Sequence, residues 1–346
     1  MNQPTHAWLA IQAFKTIKEA AANPQTDKKL KLDKLAGLLG QHMKDVVVAA
    51  WLPDSLIKDM SYGHVFKTSK HDTADGARFV VSRAALKDRL APTAFTRGQY
   101  LDGLPDAWWR EPYRVKDNGG HLPTRVASLC QNARDMLKMG DKDVYALSGV
   151  KVPAGNTTIA DDLLYSTRDV AVMLWMTSHY VADAHMPFHC DNRKLAATSS
   201  GKNAHGNMED LWGKQVPALF RANTILAASV DDILAAPLPD GSEFAGVVPA
   251  KVIPALKSGG DPWVEAVSIC RASFALSFAL VPPNKAPVDD QHTDFALEDI
   301  VDGFCGKEDF WKISRAIMQD AALAIAMFWR DVWADFVKES EKPGPN

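Results

Sequence analysis

The sequence predicts an all-α fold, a multi-helix bundle closed by a long C-terminal helix, and three observations predict it. Apolar residues recur at helical spacing through most long segments. No stretch of useful length alternates apolar and polar residues as a half-buried strand would. Breaks rich in Pro, Gly and Asn separate the periodic segments at intervals that suit helices. No internal repeat is present.

Taken in order, residues 5–22 carry helical apolar spacing, with Thr5 placed to act as N-cap and Asn23-Pro24 as the stop. Residues 28–50 predict a second helix, basic at its start and apolar at its end, before a break at Trp51-Leu52-Pro53-Asp54-Ser55. A short helical segment leads from there toward Gly63-His64. Residues 76–91 read as helix. The stretch 92–122 does not, since it holds four prolines or glycines between Pro92 and Pro105 alone. Its aromatics, Trp108, Trp109 and Tyr113, disfavour disorder and predict a structured loop, either packed inward or bordering a site. Further helices are expected at 123–139, 158–185, 205–222, 225–236, 246–257, 262–280, 294–302 and 308–338, with a polar loop at 194–204.

Composition bounds the function. With 346 residues, 47% hydrophobic and 23% charged, the chain is of ordinary globular type, and 1–346 is taken as one domain. A net charge of −3 supplies no bulk attraction to nucleic acid. The longest clean apolar run, Ala321 to Trp329, falls well short of the ~20 residues that span a bilayer. The N-terminus shows no basic region followed by an apolar one, so no signal peptide is visible. Cys130, Cys190, Cys270 and Cys305 are scattered without disulfide-scaffold or zinc-ribbon spacing, and read as small buried hydrophobes. Cys190 adjoins His189, but N and O donors are already sufficient there.

The densest chemistry lies between His179 and Asn192. His179 and Asp183 are four apart and project from one face of a helix. Pro187 ends that helix, leaving His189 on the turn beyond. His205 and Glu209 repeat the i, i+4 spacing. Imidazole together with carboxylate is the donor set of zinc. Upstream, His6, Asp54 and His64 are further candidates. Each also has an ordinary reading: His6 as a surface residue, His64 as a turn residue, Asp54 as a helix N-cap, and His205–Glu209 as an exposed helix pair. His185 and His292 are not counted as ligands.

The pattern His179-Tyr180-x-x-Asp183-x-x-x-Pro187-x-His189-x-x-Asn192, followed by His205-x-x-x-Glu209, resembles the signature of the zinc-dependent phospholipase C family. Single-strand-specific zinc nucleases share that superfamily. Trp51-x-Pro53-Asp54 with His64, and Thr5-His6-Ala7-Trp8, resemble its earlier ligand segments and fall in the right order. The resemblance covers about 1–222; nothing is recognised in 223–346. It implies a trinuclear zinc site in a cleft. One zinc would be held by Asp54, His64, His179 and Asp183. Asp183 would bridge to a neighbour bound by His6, and a third zinc would take His189, His205 and Glu209. Asp54 would also orient or deprotonate the attacking water, giving phosphoester hydrolysis. In the family an N-terminal tryptophan amine completes the His6 site. Here Met1 stands five residues before His6, and its amine is the expected counterpart. The resemblance further implies a secreted or periplasmic protein and transient contact with a membrane surface.

Substrate choice is divided. Glu209 stands where the nucleases usually carry Asp, and their Gly-Gly-Asn segment is missing, with Ser200-Gly201-Lys202-Asn203 in its place. Both features favour the phospholipase branch. Ser55, where the phospholipases have Tyr, does not. The expected activity is phospholipase C-like hydrolysis. The alternatives are a single-strand-specific nuclease or 3'-nucleotidase, and a non-catalytic zinc-binding helical protein.

Overall fold

The computed structural model describes residues 1–23, 30–59, 63–66, 121–152, 160, 163–191, 204–257, 259–281 and 296–340. The expected helix 76–91, the aromatic loop up to residue 120, the polar loop at 194–203, Asn192 and His292 lie outside them. Among the described residues the protein is all-α. It has no strand, only an isolated bridge between Gly140 and Tyr165.

Helix α1 spans Gln3–Ala21. Its cap is Asn2, not Thr5: the Asn2 side chain accepts from the Thr5 amide at 3.3 Å and from the Thr5 hydroxyl at 2.7 Å. Pro4 occupies the first turn, where a missing N–H costs nothing, and this starts the helix earlier than expected. Helix α2, Leu32–Gln41, buries Leu32, Leu35, Leu38 and Leu39 along one face. The single helix expected over 28–50 does not continue. It breaks at His42, resumes for Met43–Val46 and tightens to a 3₁₀ turn at Val47–Ala50. The Val46-Val47-Val48 run is the reason on the sequence side, because β-branched side chains lose rotamer freedom in a helix. A wide π-type turn, Pro53–Ile57, follows.

Helix α3 is Leu122–Lys138. Helix α4, Lys142–Ser148, was not anticipated, although Asp141 caps it and Gly149, at φ 63°, ends it in the left-handed conformation that glycine adopts freely. Helix α5, Thr167–Ala184, starts nine residues later than expected. A reciprocal capping box between Ser166 and Asp169 sets its start. Pro187 opens the short helix α6, Pro187–Cys190. Helix α7, Ala204–Gly213, stops well before residue 222. The segment expected as helix 225–236 becomes two pieces, a turn at Ala222–Ile225 and α8 at Val230–Ala235.

The helix expected over 246–257 is not formed. Pro249 and Pro254 remove two amide donors and oppose helical geometry. Side chains of flanking helices accept from three of the other amides: Val248 N–H donates to Gln319, Ala250 N–H to Thr16 and Leu256 N–H to Asp331. Helix α9 is Pro262–Leu280, capped by Asp261. Of the expected 294–302 helix, 297–298 are helical and a wide π-type turn at Asp299–Cys305 takes over from there. Helix α10, Lys307–Ser340, has 34 residues and spans roughly 50 Å at 1.5 Å per residue.

Helices α1, α3, α5 and α9 pack against α10. The segment beyond 222 therefore supplies core as well as surface. Buried indoles tie the helices together, each N–H finding an acceptor as burial requires. Trp329 of α10 donates to the Leu174 carbonyl of α5 at 2.7 Å, and Trp175 of α5 to the Leu39 carbonyl of α2 at 3.3 Å. Trp212 of α7 donates to Ser314 of α10 at 3.0 Å. No described helix is long and apolar enough to cross a membrane.

These contacts set two different stability costs. Ser166→Ala removes one cap and is expected to cost about 1 kcal/mol. Trp329→Ala opens a cavity and is expected to cost about 3–5 kcal/mol. Urea midpoints at unchanged slope measure both, and equal losses would contradict this division of roles.

Candidate metal centre

The centre forms where five elements converge. Helix α1 brings His6, the Pro53–Ile57 turn brings Asp54, and α5 brings His179 and Asp183. Helix α6 brings His189, and α7 brings His205 and Glu209. His64 lies on the connecting segment 63–66. That segment is held by the Phe66 amide donating to the His189 carbonyl at 3.1 Å and the Leu122 amide donating to the Val65 carbonyl at 3.3 Å. Close approach of α7 to the start of α1 depends on Gly213, since a Cβ there would fall 2.1 Å from the Asn2 side-chain nitrogen.

Asp183, 1% exposed, is the hub. Its Oδ1 lies 2.9 Å from the Met1 amine, 3.4 Å from His6 Nε2 and 3.5 Å from His189 Nδ1. Its Oδ2 lies 2.9 Å from His64 Nδ1 and 3.2 Å from His179 Nε2. Asp54 Oδ1 reaches His179 Nε2 at 3.5 Å and His64 Nδ1 at 3.6 Å. On the other side, Glu209 Oε1 lies 2.9 Å from His205 Nε2, 3.3 Å from His189 Nε2 and 3.1 Å from the Met1 amine.

Three groups of donors thereby close to metal-binding size: His6–His179–Asp183, Asp54–His64–His179 and His189–His205–Glu209, each with ligand atoms within 4.8 Å of one another. All eight sequence-derived candidates belong to at least one group. His6 is buried and not a surface residue. Asp54 is not an N-cap, because the turn begins at Pro53 and no side-chain cap bond forms. His205 and Glu209 face the cluster and not solvent alone.

Three observations fit these residues to cations. First, both ring nitrogens of His6, and Nδ1 of His189, are buried without a hydrogen-bond partner. The contacts of His6 and His189 with Asp183 are close but out of line for a bond. Buried orphan nitrogens are costly unless something else engages them. Second, His179 Nδ1 is 2.9 Å from the Ala50 carbonyl, which can only accept, so Nδ1 carries a proton and Nε2 is the nitrogen turned toward the cluster. The tightened turn after α2 is what places that carbonyl. Third, the charges of the cluster create a demand for positive charge. Burial alone would raise the Asp183 carboxyl, but the Met1 amine, His179 and His189 hold it well below the usual range. Burial and the Met1 amine act in the same opposed way on Glu209, which is also held well below its usual range. Burial would depress the Met1 amine, yet Asp183 and Glu209 push it up to about 11. His179 is raised to about 9 against its burial, by Asp183 and Asp54. Burial instead lowers His6 to about 3 and His189 to about 4. Neutral imidazoles beside ionised carboxylates are the protonation state that ligates metal.

Above the donors an open cleft of about 430 Å³ is lined by Met1, Asp54, His64, Asp183, His189, His205 and Glu209, and also by Lys58, Asp59 and Val65. Sequence reasoning gave the last three no role. Asp59 accepts from the Tyr180 hydroxyl at 2.7 Å and from Arg125 at 2.7 Å. Burial and the Asp59 carboxylate raise the Tyr180 phenol above its ordinary value. No local signal marks Asp59. It joins the site only because Lys58 adopts the left-handed conformation, φ 50°, and turns the chain back. His185 lies next to the cluster in sequence but not in role: its Nδ1 is 2.7 Å from the Val181 carbonyl and its Nε2 3.1 Å from Asp320 on α10. Cys190 is buried with its thiol 3.6 Å from the Ala184 carbonyl and joins none of the three groups.

Fold and site together define an all-α protein with buried histidine–carboxylate clusters that could hold metal ions. Comparison with protein-family models, with curated proteins and with solved structures finds no match.

The hub predicts distinct variant behaviour. Asp183→Asn is expected to lose most bound metal, whereas Glu209→Ala empties one position and leaves the other two. His185→Ala is expected to keep full metal content while losing about 1–3 kcal/mol of stability through its buried hydrogen bonds. Metal content per folded chain, measured by elemental analysis, checks all three; full occupancy in Asp183→Asn would remove Asp183 from the ligand set.

Proposed function

We propose that the protein is a zinc-dependent phosphoester hydrolase of phospholipase C-like type, using three zinc ions. The observation that carries this reading is the convergence of three donor groups, joined through Asp183, beneath one open cleft. The signature from His179 to Asn192 and the His205–Glu209 pair support it by resemblance.

The resemblance implies how the donors would divide. Asp54, His64, His179 and Asp183 would hold one ion, and His6 with Asp183 and the Met1 amine its neighbour. His189, His205 and Glu209 would hold the third. Zinc held there would supply Lewis acidity toward phosphoryl oxygens and would acidify water toward a pKa of about 7. Asp54, with its side chain 41% exposed and one oxygen toward His64 and His179, is placed to orient that water or take its proton. Lys58 adds a positive charge to the cleft wall, where a phosphoryl group would sit.

One observation favours a second reading, a single-strand-specific nuclease or 3'-nucleotidase. The residue after Asp54 is Ser55, whose hydroxyl donates to the Trp51 carbonyl, so no aromatic follows Asp54 to receive a choline-type head group.

An activity panel separates the readings: phosphatidylcholine, other phospholipids, single-stranded DNA, RNA and nucleotides, each with zinc and with chelator. About three zincs per chain and chelator-sensitive hydrolysis of phospholipid are expected. Hydrolysis confined to nucleic acid selects the second reading. Full zinc occupancy without turnover of any phosphoester would sink both and leave a zinc-binding protein.

In a chain that starts at Met1, the amine is a donor to the centre. Adding residues ahead of Met1 is expected to lower zinc stoichiometry and activity together. Unchanged stoichiometry in the extended chain would exclude the amine.

A further inference from the structure

The turn that carries Asp54 has a second, outward side. Pro53 is buried and anchors it. Asp54 and Lys58 both line the cleft, and the residues between them on the turn stand beside it without lining it. Those residues are Ser55, Leu56 and Ile57, and Leu56 is 74% and Ile57 53% exposed. Two adjacent large aliphatic side chains in water forgo burial that each could use, of a size that changes a partition equilibrium about tenfold or more. The geometry holds them there. The π-type turn carries an extra residue, and Lys58 in the left-handed conformation closes it, with the Asp59 amide donating to the Pro53 carbonyl at 2.9 Å. Other exposed aliphatics, such as Leu163, Leu226, Val248 and Val252, lie on segments that contribute no lining residue to this cleft.

The geometry points to Leu56 and Ile57 as an insertion lip, which seats the cleft on an aggregated phospholipid surface so that the phosphoester is taken from an amphiphile in place. This deepens the hydrolase reading and rests on it for the substrate class. The occupant is chosen by complementarity. The apolar pair suits the boundary of the acyl layer. Lys58, next in sequence and facing the cleft, suits the phosphate layer just outside it. The carboxylate-lined floor lies deeper still, where the ions are proposed. A single-stranded nucleic acid offers the lysine a partner but offers nothing to two aliphatic side chains without rings.

The test uses the zinc-loaded full chain and phosphatidylcholine vesicles containing a minor share of anionic phospholipid. Wild type is expected to co-sediment with the vesicles. Leu56→Ser/Ile57→Ser is expected to lose at least tenfold in vesicle affinity, and the single Leu56→Ser variant part of that. Leu226→Ser, a change at an exposed aliphatic away from the cleft, is expected to bind as wild type does. Leu56→Trp is expected to bind at least as well, with a blue-shifted indole emission increment on vesicles. In turnover, the ratio of vesicle to dispersed short-chain phosphatidylcholine rates should fall at least tenfold in the double variant. Wild-type vesicle affinity in the double variant, or no co-sedimentation of wild type, would overturn the lip. Co-sedimentation needs no catalysis, so absence of turnover on every phosphoester would overturn the hydrolase reading separately.

Discussion

The site depends on one buried carboxylate. Asp183 sits at the end of a packed helix, almost without solvent, touching an amine and four imidazoles. A lone ionised carboxylate in such a place is penalised by several kcal/mol of lost hydration. It stays ionised only because positive charge surrounds it, and the same condition draws the other donors in. With cations in place the imidazoles can be neutral ligands. Without them the Met1 amine and a protonated His179 take up the role. The surrounding fold has to hold these groups at fixed separations against their tendency to hydrate.

That holding is done by packing well away from the donors. The indole of Trp329 ties α10 to α5, and the indole of Trp175 ties α5 to α2. These bonds fix the helix that bears His179 and Asp183 on both sides. Helix α7, with His205 and Glu209, is fixed by Trp212 on Ser314 of α10 and by the close approach of Gly213 to Asn2. Among the described residues none beyond 222 is a candidate ligand, yet α9 and α10 form the wall against which the ligand helices pack. A centre assembled from five separated segments needs such a wall, because a shift of about 1 Å would break its ligand geometry.

Some of this was readable in the residues. The helices expected over 262–280 and 308–338 meet Pro262–Leu280 and Lys307–Ser340, within two residues at each end. The capping box at Ser166, which sets the start of α5, was present in the sequence as Ser-x-x-Asp, but the apolar periodicity upstream obscured it. Other segments were not readable by local rules. Residues 246–257 have helical composition, but two prolines and acceptors supplied by Thr16, Gln319 and Asp331 give their amides a different solution. The break at His42 was equally hidden, since its consequence, a carbonyl aimed at His179, belongs to a helix more than a hundred residues away.

By itself the sequence determined the helical class and the donor chemistry. Periodicity is a local property, and i, i+4 spacing puts His179 with Asp183 and His205 with Glu209 on shared faces whatever else the chain does. It also named His6, Asp54 and His64, though each had an ordinary alternative when taken singly. Only the tertiary structure decided which alternatives held, because burial and distance between remote segments are not written in local patterns. It gathered the other seven donors about Asp183 in one cluster and turned His185 away toward Asp320. It drew in Lys58 and Asp59 through one left-handed residue. It also left Leu56 and Ile57 exposed on the turn between two cleft-lining residues, a placement that follows from how the turn is anchored and not from what its residues prefer.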